Sequence, residues 1–80
     1  MTGVGILDGD LLVVDRAREP RHGHVVVAVI DKQLTVKELD TQGPTPCLRA
    51  HHPDFAPITL RPGQELQIWG VVGGVVRRLP

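Results

Sequence analysis

Val25-Val26-Val27-Ala28-Val29-Ile30-Asp31-Lys32-Gln33-Leu34-Thr35-Val36-Lys37-Glu38-Leu39 is the stretch that decides the fold. It opens with an unbroken apolar run, mostly β-branched and too short for a stable helix, which reads as a strand. Because this run is apolar on both faces, it is expected to lie in the interior of a sheet. Asp31-Lys32-Gln33 makes a tight connection into residues 34–39, so the two strands form a hairpin. By alternation Lys37 shares a face with Thr35 and Leu39, opposite Leu34 and Val36.

Outward from the hairpin the same grammar repeats. Toward the start, Leu11-Leu12-Val13-Val14 follows Asp8-Gly9-Asp10, a turn tripeptide, and Glu19-Pro20-Arg21-His22-Gly23 is a loop by composition. Toward the end, Pro44, Pro46, Pro53 and Pro57 exclude a central strand from most of residues 40–57, although Cys47-Leu48-Arg49 is able to pair. Ile58-Thr59-Leu60 is a brief extended piece, and Arg61-Pro62-Gly63-Gln64 carries the type II turn signature. The last strand runs from Leu66 toward Arg78, and Gly73-Gly74 within it marks a bulge or a close backbone approach. No window is an amphipathic helix. Six or so short strands without helices give an all-β class, a compact, mainly antiparallel curled sheet or partly open barrel.

At 80 residues the chain is a single domain, spanning 1–80, near the lower size limit for independent folding. The 41% hydrophobic content supplies one small core, and 22% charged residues are too few for a disordered tail. Nine Lys and Arg balance nine Asp and Glu, so no global field draws the chain to nucleic acid or membrane, and self-association meets little repulsion. One cysteine, Cys47, excludes an internal disulfide and makes a reducing cytoplasm the simpler setting. The longest uncharged stretch, Leu66 to Val76, is too short for a transmembrane helix.

The string Gly5-Ile6, Asp8-Gly9-Asp10 and Leu11-Leu12-Val13-Val14 resembles the opening of the self-cleaving Ser-Lys peptidase domain, the S24 family, shared by the LexA repressor and UmuD. The resemblance continues through His22-Gly23, Val25-Val26-Val27-Ala28 and Leu34-Thr35-Val36-Lys37-Glu38-Leu39, then Phe55-Ala56-Pro57-Ile58 and Trp69-Gly70-Val71-Val72, the last closer to UmuD. It covers essentially the whole chain, with the motifs in order. It implies a LexA- and signal-peptidase-like β fold in which Lys37 is the general base of the dyad. It also implies a nucleophilic Ser immediately before the residue aligned with Met1. The sequence contains no Ser, so by itself this chain is expected to be inactive. His24 departs from the Asp that commonly follows the family's His-Gly pair. A UmuD-like parent implies an SOS-response subunit that dimerises, meets the RecA filament and joins the catalytic subunit of a translesion polymerase. The alternatives are the peptidase domain of a LexA-like or phage repressor, whose DNA-binding helices lie elsewhere, and a non-catalytic β interaction module.

Without the resemblance, Lys37 reads as a solvated lysine on the outer face of a hairpin. As a base it has to act as the neutral amine, whereas a free lysine titrates at about 10.4. His22, His24, His51 and His52 do not form a convincing ligand set, since loop histidines beside Gly and Pro are usually exposed and no thiolate lies nearby. Neither metal nor cofactor is expected. Cys47 reads as a small hydrophobe in the wall. Asp8, Asp10 and Asp15 read as turn and cap residues, and Arg77-Arg78 as a solvated pair. The apolar density of residues 67–76 predicts a homodimer, with no direct nucleic-acid or membrane contact.

Overall fold

The runs of β-branched residues separate at Gly, Pro and Asp into six strands. The structure is a computed structural model that describes residues 5–6, 9–50, 57–59 and 66–79. The strands are β1 (Leu11–Asp15), β2 (Val25–Ile30), β3 (Gln33–Asp40), β4 (Cys47–Arg49), β5 (Ile58–Thr59) and β6 (Leu66–Val76). They form one sheet in the order β1-β6-β2-β3-β4-β5, and every neighbouring pair is antiparallel. The sheet is not closed into a barrel, so the open form of the expected architecture is the one adopted. The turn at residues 61–64 lies outside the described residues.

The β2–β3 hairpin closes through two residues. Asp31 and Lys32 have φ of 48° and 70°, so both lie in the left-handed region that a two-residue hairpin turn requires, although neither is glycine. The register runs from Ile30 opposite Gln33 to Val25 opposite Glu38. β6, paired with β1 on one side and β2 on the other, carries two bulges. Against β1, Val13 pairs with Gly74 and Val14 with Val72, leaving Gly73 as the extra residue that the glycine pair foretold. Against β2, Val27 pairs with Gly70 and Ala28 with Ile68, leaving Trp69, immediately before Gly70, as the extra residue.

Register also decides what shares a face. Val26, Ala28 and Ile30 of β2 align with Lys37, Thr35 and Gln33 of β3, Leu39 aligns with Leu48 of β4, and Leu48 with Ile58 of β5. From β6, Val71 and Ile68 align with Val26 and Ala28. This is the core face: Val26, Ala28, Leu39, Leu48 and Val71 are buried together, with Ile30, Ile58, Leu66 and Ile68 packed against them. Burying a side chain such as Leu48 stabilises the fold by roughly 1.5–3 kcal/mol. Two glycines behave oppositely. A Cβ on Gly70 would meet Val14 Cγ1 at 2.6 Å and the Asp15 carbonyl oxygen at 2.9 Å, whereas one on Gly73 would meet nothing within 4 Å. Of these two positions, only Gly70 has β1 packed where a side chain would have to go.

Candidate active site

Lys37 is the only charged residue that the register places on the core face of β2 to β5. It stands opposite the fully buried Val26 and next but one to the buried Leu39. Alternation along β3 dictates this: any register that buries Leu39 brings Lys37 to the same side. The lysine is half-buried rather than sealed. The solvated-hairpin reading of Lys37 therefore fails on the register.

The amine is held close to its own strand. Lys37 Nζ donates to Thr35 Oγ1 at 2.7 Å and to the Val36 carbonyl oxygen at 3.3 Å. Thr35 was placed on this face by alternation but given no role; the signal was its position two residues before the lysine. Beside the amine opens a cleft of about 450 Å³, with apolar walls from Ile30, Leu34 and Ile58 and polar groups from Asp31, Gln33, Thr35 and Lys37. The Lys37 amine thus stands at the wall of an open cleft whose lining is more apolar than polar.

The other candidates fall elsewhere. His22 Nδ1 accepts the Thr41 backbone N–H at 3.1 Å and His24 Nδ1 accepts that of Arg21 at 3.0 Å, so each ring braces a loop. His51 and His52 lie outside the described residues, among which no group of three or more His, Cys, Asp or Glu is placed to hold a metal. Asp15 caps the turn after β1, its Oδ1 accepting the Ala17 N–H at 2.9 Å and the Arg18 N–H at 3.2 Å. Cys47 is half-buried at the start of β4. Asp8 lies outside the described residues. Asp40 anchors the far end of β3: its Oδ2 accepts from Arg49 Nε at 2.6 Å and its Oδ1 from the Gln42 N–H at 3.1 Å, which together hold its carboxyl below the usual carboxylate range.

Arg77 corrects the sequence reading. It is not merely solvated: its guanidinium grips the Asp10 carboxylate with two hydrogen bonds, at 2.9 and 2.8 Å, and donates a third to the Gly5 carbonyl oxygen at 2.8 Å. The partners are 67 and 72 positions away, beyond the reach of any local pattern. Trp69 carries a second arginine contact, with the Arg16 guanidinium 5.3 Å from its ring centre and Arg16 Nε donating to its carbonyl oxygen at 3.2 Å. Among the described residues no helix is long and apolar enough to cross a membrane.

Comparison with known proteins bears on the family of the chain. LexA repressor 1 of Pseudomonas syringae pv. tomato is 51% identical over 79 residues, covering 98% of this chain and 39% of the relative. The LexA repressor of Photobacterium profundum is 46% identical over 78 residues, covering 96% and 41%, and that of Pseudomonas aeruginosa 49% identical over 79, covering 98% and 39%. The chain thus spans about two fifths of the length of these relatives. They are named as repressors, which favours the repressor alternative; the expected closeness to UmuD, and the polymerase role drawn from it, find no support among them. The model of the family described as Peptidase S24-like matches residues 1–73, and with that match and these identities the chain belongs to the Peptidase S24-like family.

Proposed function

We propose that this chain is the lysine-bearing core of the peptidase domain of a self-cleaving, LexA-like repressor that works as a homodimer. In this reading Lys37 is the general base of a Ser-Lys dyad. The observation that carries it is the Lys37 amine standing on the core face of the sheet, fastened to Thr35 Oγ1 at 2.7 Å at the wall of an apolar cleft. The neutral amine takes the proton of a serine hydroxyl as its oxygen attacks a peptide carbonyl. It returns that proton to the departing amine, and water then releases the acyl group. The serine comes from the segment leading into Met1, and the peptide from the same polypeptide or its dimer partner.

The test is a chain extended before Met1 by serine and a repressor-type upstream arm. It should cleave itself slowly, and faster as pH rises and the amine loses its proton. Lys37→Ala should abolish cleavage, and Lys32→Ala, in the hairpin turn, should leave it nearly intact. The chain of 80 residues alone should cut nothing. Cleavage at an unchanged rate in Lys37→Ala would refute the dyad and leave a β interaction module.

A further inference from the structure

The cleft beside Lys37 follows β3. Its lining starts at Ile30 and Asp31 in the hairpin, passes Gln33 and Thr35, and ends at Lys37, with Ile58 of β5 as a further apolar wall. At a strand rise of about 3.3 Å per residue, Gln33 and Lys37 stand roughly 13 Å apart, the length of about four extended residues. A lysine ammonium carries three protons. Among the described residues the Lys37 amine has two acceptors, Thr35 Oγ1 at 2.7 Å and the Val36 carbonyl oxygen at 3.3 Å. Thr35 Oγ1 accepts from the amine and so keeps its own proton to give. Two donors this close together can serve both oxygens of one carboxylate.

We propose that Lys37 and Thr35 form a binding site for the C-terminal carboxylate of a short apolar peptide, whose last residues lie along the cleft toward the hairpin. The inference goes beyond the Ser-Lys reading and needs no serine, because it uses the amine as a cation rather than as a base. A charge on the core face of a sheet is costly until an opposite charge meets it. The register sets the apolar Val26 across from Lys37, and among the described residues no carboxylate pairs with the amine. The missing complement is therefore an anion with hydrogen-bond acceptors. A peptide end supplies it on an extended, apolar segment that suits the walls of Ile30 and Ile58. Since an acid, Asp31, belongs to the hairpin end of the cleft and the ammonium to the other, the carboxylate goes to the lysine and the chain runs back from it.

The test is a titration of the 80-residue chain, followed by NMR of its backbone amides, with an N-acetylated tetrapeptide of alanine, leucine and valine. The peptide is used as the free acid and as the C-terminal amide. The acid should bind with a Kd below about 1 mM and shift Thr35, Lys37 and Ile58. The amide should bind at least about tenfold more weakly, the difference between a charge-assisted and a neutral hydrogen bond. Lys37→Met, which keeps the apolar stem, should bring the acid down to the amide's affinity. Thr35→Ser should bind the acid as the parent does, and Thr35→Val at least about threefold more weakly. Lys32→Asn, in the left-handed turn, should change nothing. Acetate, which offers the charge without the chain, should bind at least about tenfold more weakly than the tetrapeptide acid. Equal binding of acid and amide, no binding of the acid, acetate as tight as the peptide, or a Lys37→Met protein that still tells acid from amide overturns the proposal. The parent's preference for acid over amide decides the matter even where a variant fails to fold. Neither result touches the Ser-Lys reading, which is tested by cleavage.

Discussion

The charged side chains of this protein do their structural work where strands end. At Asp40 the Arg49 guanidinium, and then the Gln42 N–H, lower the carboxyl's affinity for a proton. A carboxyl that binds protons less readily folded than unfolded stabilises the fold above its unfolded value of 3.8, and that contribution disappears as pH falls through the lower folded value. Asp40→Asn should therefore flatten the acid side of the stability profile, below about pH 4, as followed by urea unfolding at successive pH values. An acid limb identical to the parent's would show the pair to be screened away. At this scale the face that Lys37 shares with Leu39 was legible by alternation, whereas the residues alone read that lysine as solvated on the outer side of the hairpin. Its acceptor was half-legible: Thr35 stood on the right face, but nothing in a lone threonine says that an amine turns back onto it. Arg77 was illegible, since a basic pair at a strand end looks solvated until the chain has closed and brought Asp10 beside it.

The strands themselves were the most readable objects, since β-branched runs bounded by Gly, Pro and Asp leave little choice of conformation. Which strand neighbours which was another matter. Periodicity gives no reason for β6 to insert between β1 and β2, with a bulge at Trp69 beside Gly70. Gly70 records the insertion sterically. Gly70→Ala should destabilise the fold by about 1–3 kcal/mol, because the new methyl meets the Asp15 carbonyl oxygen as well as the movable Val14. Gly73→Ala, facing open space in the other bulge, should shift the urea midpoint little. Equal losses at the two positions would mean that β1 does not cross β6 closely at Gly70.

Taken whole, the molecule has one well-buried face and a flank that it does not cover. Leu11 and Val13 of β1, Val75 and Val76 of β6 and Leu79 beyond it are 40–81% exposed, all at the β1–β6 margin. An exposed apolar cluster of this kind on a chain of zero net charge is a candidate surface for pairing with a second copy. Sedimentation should show a dimer at about 100 μM, and Val13→Glu should shift it toward monomer without loss of fold. A clean monomer at that concentration would exclude the homodimer.

The margin also sets how the molecule answers to tension. Because β1 and β6 run antiparallel with Leu11 beside Val76, the ends of the described sheet emerge side by side. A pull applied through them loads one rung at a time, peeling the ladder like a zipper rather than shearing all its hydrogen bonds at once. The first rung to bear that load is the Arg77–Asp10 clasp, which makes a single arginine the mechanical fuse of the domain.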